Sequence, residues 1–247
     1  MTKIFALFNQ CGGVCKSTLT LNLGYHLSLL GKKTLLVDID PQASLTTFLG
    51  LEPSELELTL YNSIVHDDPL PLHTIHGLDL VPSNIDLSGA ELELVTADMR
   101  DLRLKEALGT IAADYDTILI DCPPSLGILS YISLVAATHI LVPIQTHYKA
   151  LRGTELLLST FARVKKKANK SLLIAGFIPT LFDSRTSQDN MSLLAIKEQL
   201  SSIAPVFSPI PRSVAFADAV QAHLPLSLYQ PKHPAVSLLN SIAGQIV

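Results

Sequence analysis

Two groups of residues in this chain stand where phosphate chemistry needs them. One is a lysine–serine pair behind two adjacent glycines; the other is a set of aspartates that close apolar runs. The segment Gln10-Cys11-Gly12-Gly13-Val14-Cys15-Lys16-Ser17 follows a β-prone run, Lys3 to Asn9, and leads into a stretch with helical spacing. Glycines let backbone N–H groups converge on an anion, and the N-terminus of a helix adds a favourable dipole. In a loop of this kind Lys16 neutralises the terminal phosphates and the Ser17 hydroxyl ligates Mg²⁺. Asp38 and Asp40 lie in Val37–Gln42 and Asp121 in Leu119–Pro124, each after a hydrophobic run. Ligands of open parallel sheets bind outside such strand ends, where carboxylates hold metal-bound water or orient an attacking one. A single aspartate there could simply cap the next helix or turn. Three of them beside Lys16 and Ser17 point to nucleotide hydrolysis.

These residues need a sheet to hold them. Buried strands are expected at Thr34–Val37, Leu78–Pro82, Thr117–Ile120, His139–Pro143 and Leu172–Pro179, after the first at Lys3–Asn9. Apolar spacing predicts helices at Lys16–Leu30 (Leu19, Leu23, Leu27, Leu30), Arg103–Ala112, Ser125–Ala136, Leu151–Ala168, Asn190–Ser202 and Ala235–Gln245. Gly31 closes the first of them. Alternating strands and helices imply an α/β fold: a mostly parallel twisted sheet with helices on both faces, of the P-loop NTPase type. Glu52–Asp86 is the least regular stretch and reads as surface loops and short helices. No linker, repeat or low-complexity tract divides the chain, so residues 1–247 are expected to form one domain.

Composition narrows the class. Of 247 residues 48% are hydrophobic and 16% charged, which excludes a disordered chain. The net charge of −4 excludes a chain that is basic throughout but not a local basic face. Arg163, Lys165, Lys166, Lys167 and Lys170 form the one clear cationic cluster. Three cysteines without regular spacing suit a reducing compartment. No signal-like segment and no apolar run of membrane-spanning length is found, so the expected location is cytoplasmic.

The motifs resemble the ParA family of deviant Walker ATPases, which includes MinD-like proteins. The likeness runs through Cys11–Ser17, Asp38-Ile39-Asp40-Pro41-Gln42, Asp121-Cys122-Pro123-Pro124-Ser125 and Val142-Pro143-Ile144-Gln145. It continues in Tyr148–Gly153, Phe182-Asp183-Ser184-Arg185-Thr186 and Ile210-Pro211-Arg212. The resemblance implies ATP and Mg²⁺ as ligands. Cys11, Gly12, Gly13, Val14, Cys15, Lys16 and Ser17 would form the phosphate loop, with Thr18 on the α-phosphate and Pro211 and Arg212 beside the adenine. Ser17 and Asp121 would serve the metal, and Asp38 and Asp40 would position the metal shell and the attacking water. It further implies an ATP-sandwich homodimer, binding to DNA or membrane in that state, and slow hydrolysis stimulated by a partner.

Two loop positions depart from the family pattern. Cys11 replaces the signature lysine that reaches across the dimer, removing a charge-assisted contact from an anionic site. Cys15 replaces a glycine and could crowd the loop, although a helical backbone there would tolerate it. Three readings of Cys11 stand: a degenerate loop, a redox or metal pair with Cys15, or compensation by another cation. Lys149 is the candidate for that cation, as a catalytic contact to phosphate, because His147, Lys149 and Arg152 all shift the segment toward positive charge. Loss of the signature lysine resembles the carboxysome-positioning branch (McdA), which works with a small adaptor, McdB. Plasmid or chromosome partition with a ParB-like partner is the competing reading, and a nucleotide-binding scaffold without turnover is the third.

The basic cluster suits non-specific DNA and a nucleoid location, with Arg185 and Arg212 joining by family analogy. The final segment, Pro234–Val247, contains no Lys or Arg, so it reads as a helix docked on the core and not as a membrane anchor. No N-terminal extension offers a helix-turn-helix, which disfavours operator binding.

Overall fold

A computed structural model describes residues 2–147 and 150–247; the side chains of residues 150–152 lie outside that description. The sheet is built from β1 (Lys3–Leu7), β2 (Thr34–Asp38), β3 (His73–Ile75), β4 (Leu78–Val81), β5 (Thr117–Asp121), β6 (His139–Gln145) and β7 (Leu173–Thr180). Its order is β3-β4-β2-β5-β1-β6-β7. All pairings are parallel except β3 with β4, where His73 faces Leu80 and Ile75 faces Leu78. The five-residue strands β1, β2 and β5 run level: Leu7 and Asp38 both register against Asp121. That register sets the acidic strand ends side by side.

Side chains alternate between two apolar layers, as the period of two in a strand requires. On one face Ala6, Leu35, Val37, Ile118, Ile120, Ile140 and Val142 pack under the helices α3 (Leu60–Val65), α4 (Leu87–Thr96), α5 (Arg103–Gly109), α6 (Ile128–Ala136), α7 (Ala150–Lys167) and α8 (Ser187–Leu200). On the other, Phe5, Leu7, Leu36, Leu119 and Leu141 meet α1 (Lys16–Leu29), α2 (Ser44–Phe48), α9 (Ala215–Gln221), α10 (Leu226–Tyr229) and α11 (Pro234–Ile246). Both faces of the strands are covered, which is why their sequences read as unbroken apolar runs.

Helix α1 is enclosed between the sheet and α11. Leu19, Leu21, Leu23, Leu27, Asn22 and His26 are all buried, so most of this helix is enclosed, and Leu29 at its end is exposed. Two of its polar side chains meet α10: Asn22 Oδ1 accepts from Leu226 N at 2.8 Å, and His26 Nε2 lies 2.8 Å from Ser227 Oγ. Gly24 suits this packing: a Cβ there would stand 2.5 Å from Leu36 Cδ2 and force that side chain to shift. Helix α11 buries Ala235, Leu239, Ile242, Ala243 and Ile246, and the His233 ring caps it by accepting from Ala235 N. The expectation of a docked terminal helix is met. Among the described residues no helix is long and apolar enough to cross a membrane.

Glu52–Asp86 is more ordered than its composition suggests. It contains α3, whose Thr59 and Asn62 form a reciprocal capping box, and the β3–β4 hairpin. Helix α6 begins at Ile128, so Ser125–Gly127 precede it.

Candidate active site

The phosphate loop leaves the interior strand β1 and enters α1 through two left-handed residues. Gly13 has φ 73° and Cys15 has φ 69°, ψ 30°. The helical backbone that would tolerate a side chain at Cys15 is therefore absent; a β-carbon occupies a conformation suited to glycine. Burial raises the Cys15 thiol pKa, and the positive charge of Arg212 partly counteracts this. Arg212 belongs to the Ile210–Arg212 loop and is exposed. A main-chain bridge sets the same loop: Arg212 N donates to Phe182 O at 3.0 Å and Phe182 N to Ile210 O at 3.1 Å.

The first residues of the loop are fastened to β6 and α7. Asn9 Nδ2 donates to Pro143 O at 2.6 Å, and its Oδ1 accepts from Cys11 N at 2.9 Å. Gln10 Nε2 reaches Thr160 Oγ1 at 3.4 Å. The Cys11 Sγ lies 3.3 Å from where a Gly153 Cβ would be, so the exposed thiol sits against the start of α7. Gly153, which closes the segment expected to compensate for the missing loop lysine, thus lies beside Cys11; Lys149 lies outside the described residues. At the far side of the loop Val14 O accepts from the buried Thr180 hydroxyl at 3.3 Å.

Lys16 is buried and curls back over the loop. Its Nζ donates to Asn9 O and Cys11 O, each at 3.2 Å. Both acceptors are neutral carbonyls, so the charge lacks an ionic partner in either bond. No side chain caps the N-terminus of α1. These features suit a phosphate, which would supply both the counter-charge and the acceptors for the helix N–H groups.

Asp121 and Asp38, register partners at the ends of β5 and β2, are both fully buried. Asp121 Oδ1 accepts from Thr20 Oγ1 at 3.4 Å. Among the described residues Asp121 Oδ2 has no hydrogen-bond partner, although it is buried. Burial raises the Asp121 pKa well above the carboxylate range and the nearby Asp38 charge adds to this, while Ser17 and Lys16 oppose it. A divalent cation would reverse that balance and give Oδ2 a role. Mg²⁺ favours such a site, with one or two protein oxygens completed by phosphates and water. Among the described residues no cluster of three His, Cys, Asp or Glu side chains could hold a metal on its own.

Asp38 is held differently. Its Oδ2 accepts from both Thr46 N at 2.9 Å and Thr46 Oγ1 at 2.8 Å, and its Oδ1 accepts from Asp40 N at 3.2 Å. Burial pushes its carboxyl up to about 7 in spite of these donors. Asp40 turns its Oδ1 to Gln42 N at 3.0 Å. Thr18 is half-buried on the first turn of α1, beside Ser17. Cys122 is buried, and desolvation pushes its thiol up to about 12, which leaves it inert.

The loop, the two register-paired carboxylates and the seven-stranded sheet find counterparts among known proteins. An AAA domain family model matches residues 2–174. A chromosome-partitioning ATPase, Soj of Treponema pallidum, is 40% identical over 258 residues, spanning 100% of this chain and 98% of that one. The chain belongs to the ParA/MinD family of P-loop ATPases. Two solved structures show the same architecture. One is cobyrinic acid a,c-diamide synthase from Mycobacterium smegmatis with bound ADP and magnesium, at 38% identity and TM-score 0.82, covering 90% of this chain and 91% of that one. The other is apo McdA from Cyanothece, at 26% identity and TM-score 0.88, covering 100% and 99%.

Within this ParA/MinD framework the structure brings Lys16, Ser17, Asp38, Asp40 and Asp121 to one sheet edge. Thr46 and Ser83 were not singled out by sequence. Their signal was a hydroxyl residue within ten positions of Asp38 and another just after the end of β4.

Proposed function

We propose that this chain is a Mg²⁺-dependent ATPase of DNA partition, which pairs around ATP, holds DNA without sequence preference in that state and releases it on slow, partner-stimulated hydrolysis. The observation that carries the reading is the buried Asp38–Asp121 pair beside an uncapped helix start and a buried Lys16. Mg²⁺, when bound, would neutralise phosphate charge. Ser17 and Asp121 would hold it, and the backbone amides from Gly12 to Thr18 would cradle the phosphates. Lys16 would leave the carbonyls of Asn9 and Cys11 for phosphate oxygens, and Asp38 and Asp40 would orient the attacking water. Pro211 and Arg212 would close the base side.

The DNA surface is the end of α7, where Arg163, Lys166, Lys167 and the following Lys170 are exposed. Pairing two chains doubles this cationic surface, which makes affinity steep in salt. The same reading places the protein on the nucleoid in the cytoplasm, with a ParB-like stimulator. The 40% identity to a chromosome-partitioning ATPase favours chromosome or plasmid DNA as the cargo. Carboxysome distribution with an McdB-like adaptor is the second reading, favoured by Cys11 at the signature-lysine position and by the likeness to McdA.

Light scattering and DNA co-sedimentation with ADP, ATP and a non-hydrolysable analogue test the proposal, with Cys11→Lys run alongside. Pairing and DNA retention are expected only with the triphosphates. DNA retention that ignored the nucleotide would overturn the gated model.

A further inference from the structure

The chain that follows β2 folds back around the Asp38 carboxylate. Thr46, in the first turn of α2, gives Asp38 both its amide and its hydroxyl. Ser83, just beyond β4, completes a clasp: its N–H donates to Thr46 Oγ1 at 2.9 Å, and its own hydroxyl donates to Asp40 O at 2.6 Å. Thr46, Ser83 and Asp38 are each 0% exposed. A threonine hydroxyl has one proton and two acceptor lone pairs. Ser83 N–H can only donate, so it occupies a lone pair and leaves the proton directed at Asp38. A neighbouring strand end thereby fixes the hydroxyl rotor.

Capping α2 would need only the Thr46 amide. The hydroxyl and the Ser83 contacts exceed that need, and both act on the loop that carries the two acidic side chains. We propose that Thr46, anchored by Ser83, is a positioning residue for hydrolysis: Thr46 fixes the Asp38 carboxylate, and Ser83 fixes the backbone of Asp40. This inference rests on the hydrolytic reading of the site. Among the described residues neither side chain hydrogen-bonds to the phosphate loop, so their loss acts on turnover and not on nucleotide affinity.

Thr46→Val keeps the amide and the shape but removes the hydroxyl; Thr46→Ser restores it. Misplacing a reacting group by about 1 Å can cost about 100-fold, so a ~10-fold or greater fall in single-turnover kcat is expected for Thr46→Val. Nucleotide Kd, read with a fluorescent ATP analogue, should stay within about twofold, and Thr46→Ser should recover most of the rate. Ser83→Ala, which keeps the N–H donor to Thr46, should lower kcat about threefold at unchanged Kd. If Thr46→Val does not fold, Ser83→Ala decides, and an unchanged kcat there overturns the proposal. Equal losses in Thr46→Val and Thr46→Ser would also overturn it. Turnover by the unsubstituted chain with an undiminished Thr46→Val would sink this inference alone; no turnover by the unsubstituted chain would sink the ATPase reading with it.

Discussion

Helices α1 and α2 both begin at the carboxyl edge of the sheet, and both start from a left-handed residue that is not glycine: Cys15 at φ 69° and Ala43 at φ 51°. They differ in what meets their amide groups. At α2 an internal carboxylate, Asp38, accepts from Thr46 N, so the positive end of the helix is satisfied within the fold. At α1 no side chain caps the N-terminus, and the nearest cation, Lys16, is bonded to carbonyls of its own loop. One helix start is closed by the protein's own acid; the other is built to receive one. The contrast separates a structural anion site from a ligand anion site within a single sheet edge.

The largest effect should come from the open start. Lys16→Gln keeps length and hydrogen-bonding capacity but removes the charge, and turnover should fall at least ~100-fold, as when a donor to developing charge is lost. Single-turnover hydrolysis with Mg²⁺ and ATP checks this. A loss below about threefold would mean that α1 needs no cation and that the contrast with α2 is misdrawn.

The closed start should show itself in pH. Burial raises the Asp38 carboxyl to about 7 from its ordinary 3.8, so the folded chain keeps a proton that the unfolded chain has released. Stability from this group is then greatest at low pH, falls as pH rises from about 4 to 7, and is flat above. Asp121, also raised, adds in the same direction. Urea midpoints of the nucleotide-free protein should decline across that window, and Asp38→Asn should flatten the decline. With Mg²⁺ and nucleotide the slope should shrink, because a cation favours the ionised pair. A slope that persisted in Asp38→Asn at full size would assign it elsewhere.

Most of the sheet was legible because its strands are covered on both faces and read as apolar runs that stop at polar turns. The strand ends named Asp38 and Asp121 for the same reason. β3 was not legible: three residues, His73–Ile75, at an edge that is open on one side carry too little pattern. Helix α4 holds Leu87, Ala90 and Leu94 at helical spacing, but Gly89 and the irregular stretch before it mask the start. The clasp on Asp38 was beyond reach, since Ser83 meets Thr46 only through sheet order. The left-handed backbone at Cys15 was legible only as a question. The sequence shows a side chain where the family pattern has glycine; φ decides whether it strains the loop.

That strain supplies the smallest and sharpest test. A left-handed L-residue costs roughly 1–2 kcal/mol, and glycine recovers this less roughly 0.5–1 kcal/mol of added freedom in the unfolded chain. Cys15→Gly and Ala43→Gly should therefore each raise stability by up to about 1 kcal/mol, read as a rise of a few degrees in Tm. The two starts should then part company. At α2 the conformation is already held by Asp38, Asp40 and Thr46, so Ala43→Gly should leave nucleotide Kd unchanged. At α1 the half-buried Cys15 side chain stands in the loop that must close on phosphate, so Cys15→Gly should tighten nucleotide binding as well as raise Tm. If both substitutions shift Tm and neither shifts Kd, the left-handed cap at Cys15 is strain without consequence for the ligand. If Ala43→Gly moves Kd as much as Cys15→Gly does, α2 is no closed anion site, and the two helix starts are one coupled device.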